Sequence, residues 1–203
     1  GKSTLLKVLT RLLDTRHGEI CIDNKPINHY PLAQLRSQIA LVLQDSFLFA
    51  EPIANNISYD DAKRAMDEIW QAASQADLAQ TIEALPQQMQ TVVGERGITL
   101  SGGQRQRTAL ARGLIRSAPI LLLDDCFSAV DTETEEEILN NLKQVSQNKT
   151  TLIVSHRVSS AKNADKIIVL ENGSIIQEGT HAKLNNIDGY YKELYLNQLS
   201  EKE

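Results

Sequence analysis

Residues 100–131 read LSGGQRQRTALARGLIRSAPILLLDDCFSAVD, and this stretch decides the fold. Leu100-Ser101-Gly102-Gly103-Gln104 is a glycine loop opening a helix that runs to about Arg116 and stops at Ala118-Pro119. An apolar run, residues 120–123, follows and ends in two carboxylates, Asp124 and Asp125. A loop feeding a helix exposes free backbone N–H groups at the positive end of a dipole, which suits an anion. A buried strand ending in Asp is how a phosphate-binding α/β enzyme places a carboxylate near Mg²⁺. Together the two devices point to nucleotide chemistry.

The N-terminal residues carry the same theme. Gly1-Lys2-Ser3-Thr4 matches the end of the phosphate-loop pattern G-x-x-x-x-G-K-[ST], and Leu5, Leu6, Val8, Leu9, Leu12 and Leu13 continue it with helical apolar spacing. Lys2 brings a compact positive charge to β- and γ-phosphates, the Ser3 hydroxyl suits Mg²⁺, and Thr4 with the helix-start N–H groups suits further phosphate oxygens. The chain is expected to be a fragment that enters the pattern after its first glycine.

LSGGQ, then LLLDD, then Ser128-Ala129-Val130-Asp131 resembles the signature, Walker B and D-loop of the ATP-binding cassette (ABC) ATPases, in the family's order and spacing, over essentially the whole chain. The resemblance implies an α/β fold: a RecA-like P-loop NTPase core (1–50 and 118–203) with an inserted α-helical subdomain (51–117). It implies ATP and Mg²⁺ as cofactors. ATP would be held by Gly1, Lys2, Ser3 and Thr4, with Ser3, Gln44 and Asp124 toward the metal, and with Asp125, Gln44 and His156 as catalytic groups. Ser101, Gly102, Gly103 and Gln104 would serve a nucleotide whose phosphate loop belongs to a second ABC ATP-binding domain. His156, after the β-rich run Thr150–Val154, matches the family's γ-phosphate histidine.

Two segments narrow the resemblance to exporters. Gln44 followed by Asp45-Ser46-Phe47-Leu48-Phe49 resembles the exporter form of the Q-loop, and Phe47, Phe49 and Ile57 fall where exporters dock a coupling helix. Thr91-Val92-Val93-Gly94-Glu95-Arg96-Gly97 resembles the exporter X-loop, usually T-E-V-G-E-x-G, with Val92 in place of its first Glu. The implied partner is therefore also a transmembrane domain of the same full-length chain, with this domain at the cytoplasmic face of the membrane.

The family's strand-end pair is D-E, whereas here it is Asp124-Asp125. Asp125 is one methylene short, so its carboxylate is set back by roughly 1.5 Å. General-base catalysis contributes about 10²- to 10⁴-fold, and a shift of about 1 Å can cost about 10²-fold. The site built on this chain's own motifs is expected to bind ATP and hydrolyse it slowly. With an intact signature, that pattern resembles the degenerate half of a bacterial heterodimeric multidrug exporter; a homodimer with two slow sites stays open. So does a nucleotide-gated regulatory module with little hydrolysis.

Composition bounds the rest. The 203 residues, 41% hydrophobic and 23% charged, suit one well-buried domain. A net charge of -5 argues against a nucleic-acid partner. Arg105, Arg107, Arg112 and Arg116 read as a solvated, salt-bridged face. Cys21 and Cys126 read as two small buried hydrophobes. Residues 61–84 read as a helix with Ala62, Ala65, Met66, Ile69, Trp70 and Ala73 along its core stripe. The segment 164–178 reads as a hairpin turning at Asn172-Gly173, and 189–199 as a closing helix.

Overall fold

The computed structural model describes residues 1–15, 17–45, 47–94 and 100–200. The chain begins with α1 (Lys2–Leu9), a short antiparallel pair β1 (Cys21–Ile22) and β2 (Lys25–Pro26), then α2 (Leu32–Ser37) and β3 (Ile39–Val42). A helical region follows: α3 (Ile53–Ile57), α4 (Met66–Gln75), α5 (Ala79–Glu83) and α6 (Gly102–Leu114). The chain then lays down β4 (Ile120–Asp124), α7 (Thr132–Val145), β5 (Thr150–Val154) and α8 (Val158–Ala161). It closes with the hairpin β6 (Ile167–Glu171) and β7 (Ser174–Gly179), then α9 (His181–Asn185) and α10 (Tyr190–Ser200).

The centre is a parallel sheet of order β3-β4-β5, with Val42 opposite Leu123 and Asp124 opposite Val154. A parallel sheet must be covered on both faces, so its strands read as apolar runs. In β4 successive side chains serve opposite faces. Leu122 joins Leu6, Leu35 and Ile39 under α1 and α2, whereas Leu121 and Leu123 join Leu110, Leu114, Ile138 and Leu142 under α6 and α7. The second cluster is continuous from the sheet into the helical region through Ile57, Ile69, Ala73 and Ile82.

Several helix ends differ from the sequence expectation. α1 stops at Leu9 because Arg11 turns left-handed (φ 50), with Leu12 N–H donating to Lys7 O and Arg11 N–H to Val8 O. This is a Schellman closure without glycine, and it leaves Leu12 and Leu13 exposed. The expected helix 61–84 is two helices. Asp61 accepts from Lys63 N–H ahead of α4, and Asp77 (φ 52) closes α4 by the same device, Leu78 N–H donating to Ala73 O. Met66 is consequently exposed, while Ile69 and Ala73 are core and Trp70 packs against it.

Arg107, Arg112 and Arg116, in and just after α6, are half-buried rather than a solvated face, although Arg107 does form an ion pair, with Asp77. Arg107 donates to Asp77 O and its carboxylate, at the α4–α5 junction. Arg112 donates to Asn56 O, Asn56 Oδ1 and Phe47 O, and Arg116 to Arg36 O. Burial lowers the pKa of Arg112; its fork satisfies backbone carbonyls that the helical region would otherwise leave unmet. Cys126 is buried as expected, but Cys21 is exposed on β1.

Candidate functional site

Ligands of open α/β sheets bind beyond the carboxyl ends of the strands. Here β3 delivers Gln44, β4 delivers Asp124 and Asp125, and β5 delivers His156, all at the same edge. The N-terminus of α1 meets them there: Ser3 Oγ donates to Asp124 Oδ1 at 3.0 Å, joining residues far apart in sequence. Gln44 Nε2 donates to Asp125 Oδ2 at 3.2 Å. Asp124 is buried, Asp125 half-buried and His156 exposed.

Asp125 has a left-handed backbone (φ 46), and its N–H donates to Val154 O at 2.8 Å, so the ladder continues one residue past β4 as the chain turns away. That conformation is uncommon outside glycine, and Asp is among the residues that tolerate it.

At the start of α1, Gly1 sits at the N-cap and contributes no side-chain cap. The first-turn N–H groups of Lys2, Ser3 and Thr4 therefore face outward at the positive end of the helix, an arrangement suited to phosphate oxygens. The oxygen donors also fit Mg²⁺. Among the described residues no cluster of three or more His, Cys, Asp or Glu groups could cage a metal. Mg²⁺ needs none, since it is commonly held by one or two carboxylates together with substrate phosphates.

The glycine loop lies apart from this cluster. Ser101 caps α6 in a reciprocal box: its Oγ accepts from Gln104 N–H and Gln104 Oε1 accepts from Ser101 N–H. A Cβ on Gly103 would stand 2.9 Å from Ala129 O, so only glycine lets α6 approach the turn at residues 128–130 so closely. The described contacts of Ser101, Gly102, Gly103 and Gln104 run to one another and to neighbouring segments of α6 and that turn, not to Lys2, Ser3 or Asp124.

Residues the motif reading passed over complete the surroundings. Gln106 donates to Ser128 Oγ and accepts from Ala129 N–H, both at 2.9 Å. Arg157 donates to Val130 O, Ser128 O and Glu135. The helical spacing of the α6 arginines drew attention, while Gln106 and Arg157 belong to no pattern that spacing reveals.

Of the exporter-like segments, Phe47 is exposed and Ile57 is fully buried, so Ile57 cannot meet a docking partner. Phe47, Tyr59 and Leu43 line a groove of about 340 Å³ with Arg112 and Arg116. Thr91 and Val93 pair with the chain at 51–53, through Ile53 N–H to Thr91 O and Val93 N–H to Glu51 O. Glu95, Arg96 and Gly97, which end the X-loop-like segment, lie outside the described residues, as does Ser46.

Comparison with known proteins agrees with this geometry. Residues 1–128 match the model of the ABC transporter family. The chain is 46% identical over 202 residues to the ATP-dependent lipid A-core flippase of Vibrio cholerae, covering 99% of this chain and 35% of that protein. It is 48% identical over 195 residues to the uncharacterized ABC transporter ATP-binding protein YknU of Bacillus subtilis, covering 96% and 33% respectively. It thus spans about a third of the length of these relatives. A solved bacterial Atm1-family ABC exporter with ATP bound superimposes with a TM-score of 0.94 at 41% identity, over 98% of this chain and 35% of that one. The parallel sheet with α1 at its carboxyl edge is accordingly a RecA-like P-loop core, and the chain belongs to the ABC transporter family.

Proposed function

We propose that this chain is the ATP-binding and ATP-hydrolysing domain of an ABC exporter, working at the cytoplasmic face of a membrane. The observation that carries the reading is the Ser3–Asp124 hydrogen bond, which sets a phosphate-loop hydroxyl on the strand-end carboxylate. When bound, Mg²⁺ neutralises charge on the phosphates and ATP supplies the phosphoryl group. Lys2, Thr4, Gly1 and the α1 N–H groups hold phosphate, and Ser3, Asp124 and Gln44 supply oxygen ligands toward the metal. Asp125 accepts the proton of an attacking water, with Gln44 orienting its carboxylate. His156 donates a hydrogen bond toward the terminal phosphate. Ser101, Gly102, Gly103 and Gln104, at the start of α6, close over the nucleotide of a second ABC ATP-binding domain.

We divide the chain into a core of residues 1–50 and 118–203 and a helical subdomain of 51–117. The groove beside Phe47 and Tyr59 is the proposed seat of a transmembrane domain of the full-length protein. No helix among the described residues is long and apolar enough to cross a membrane. The substrate in this reading is lipid- or drug-like, and the names of the flippase relatives support the lipid-like alternative.

The own-motif site is slow in this reading, because Asp125 stops one methylene short of where Glu would reach. The experiment is the ATPase rate of the full-length protein, alone and with a candidate partner subunit, against Asp125→Glu. Turnover that needs the partner and rises about tenfold or more in the Glu variant is expected, since misplacement of about 1 Å can cost about 10²-fold. Equal rates in both forms would refute the slow site. A second reading, a dimerising module that regulates a partner with little hydrolysis of its own, is favoured by the same short carboxylate. It predicts ATP-dependent association without turnover in either form.

A further inference from the structure

The turn at residues 128–130 leaves the site directly after Asp125, Cys126 and Phe127, and two side chains from distant elements grip it. Gln106 of α6 donates to Ser128 Oγ and accepts from Ala129 N–H. Arg157 donates from Nη1 to Val130 O at 3.1 Å and from Nη2 to Ser128 O at 3.3 Å. Arg157 immediately follows His156, whose carbonyl is separately held by Gln198 Nε2 of α10 at 2.8 Å.

What fixes Arg157 is a carboxylate with 1% of its surface exposed, Glu135 of α7. It accepts from Arg157 Nη1 at 2.5 Å and from Ser159 Oγ and Ser160 Oγ, each at 2.7 Å. A carboxylate this buried is costly unless it is paired and fully hydrogen-bonded, so the guanidinium is held to it firmly. The remaining N–H groups of the planar fork then point at the two carbonyls. A lysine would keep the ion pair, but a single ammonium on a flexible stem cannot hold Glu135, Val130 O and Ser128 O in one plane.

We propose that Arg157, anchored by Glu135, is a positioning residue that locks the 128–130 turn in register with His156, and that Gln106 extends the lock to the glycine-loop helix. The inference rests on the ATPase reading above. It makes Asp125, His156 and the start of α6 one rigid unit, through bonds that Arg157 and Gln106 make to the D-loop-like turn.

The test uses the full-length protein in the assembly in which it purifies. Steady-state MgATP kinetics, equilibrium binding of trinitrophenyl-ATP and thermal melting are compared for the wild type, Arg157→Lys and Gln106→Leu. The lock predicts that Arg157→Lys melts within a few degrees of wild type and binds the nucleotide within about twofold, while kcat falls about ten- to a hundredfold at nearly constant KM. Gln106→Leu, which leaves the buried charge paired, shows the same split if the lysine variant fails to fold. Unchanged kcat in a folded variant, or a kcat loss matched by equal losses of melting temperature and nucleotide affinity, would overturn the proposal. A wild type that neither binds nor turns over ATP would instead sink the ATPase reading, so the two failures are separable.

Discussion

Asp131 ends the turn that Arg157 grips and opens α7, accepting from Thr134 N–H at 3.0 Å. The hydrogen bonds from Thr134 hold its carboxyl below the ordinary range. A depressed carboxyl stabilises the fold above its unfolded pKa, about 3.9, and loses that contribution as pH falls toward the lower folded value. Asn caps a helix about as well as Asp but carries no charge. The stability gap between wild type and Asp131→Asn, from urea unfolding at a series of pH values, is therefore expected at neutral pH and should shrink and close as pH falls below the unfolded carboxyl value and through the lower folded one. A gap that persists in acid would mean that the Asn variant had lost the cap itself. At this scale the sequence was most legible where a residue's chemistry is local. Lys2, Ser3, Asp124 and His156 announce themselves by type and by the strand or helix they follow. Arg157 and Glu135 do not, because their pairing comes from chain segments brought together only by the fold.

At the scale of elements, α6 is fixed to β3 by the absence of a side chain. A Cβ on Gly113 would lie 2.4 Å from Val42 Cγ2, and a β-branched valine in a buried strand has little freedom to yield. Gly113→Ala is expected to destabilise by about 1–3 kcal/mol through overpacking, despite alanine's better helix propensity. Val42→Ala in the same chain should return part of that loss. A double-mutant cycle read from urea midpoints should give a coupling of at least about 0.5 kcal/mol, and simple additivity would show that the helix had shifted rather than clashed. The sequence did place β4 and β5 to within a residue and α6 to within about two at each end, since the strands are short apolar or β-rich runs and α6 opens on a capping residue and stops before Pro119. It misjudged where α1 and α4 stop. Both close on left-handed non-glycine residues, Arg11 and Asp77, where glycine is the usual signal. Arg107, Arg112 and Arg116 were read as solvated for a related reason: helical spacing says which side chains are neighbours, but not that the carbonyls of Asn56, Asp77 and Arg36 stand waiting for them.

For the whole molecule, the thiol of Cys126 reports on the core it shares with Leu121, Ile138 and Phe127. It is 1% exposed, and burial pushes its pKa far up, so the reactive thiolate is scarce in the folded state. Alkylation at Cys126, followed by peptide mass spectrometry on the full-length protein, is expected to track global unfolding, with a rate that climbs with urea as the stability falls. A rate indifferent to urea would reveal a local opening behind the Asp124–Asp125 strand end. The overall architecture was readable because phosphate loop, glycine loop and strand-end carboxylates occur in one order. The continuity of the main cluster from sheet to helical region was not, since Ala40, Ile57 and Ile138 share it without any sequence proximity.

The left-handed turn at Asp125 gives the shortened carboxylate a second meaning. Asp sits in that conformation more readily than a longer, unbranched acid, because its short side chain can bond back to nearby backbone. In the proposed slow site, the residue that costs turnover thus also relaxes the chain where it turns left-handed. In the proposed asymmetric pair, where a partner's site carries the turnover, drift toward Asp runs downhill in stability and reversion to Glu must climb. Asymmetry of this kind behaves as a ratchet, held in place by backbone geometry as much as by selection on rate.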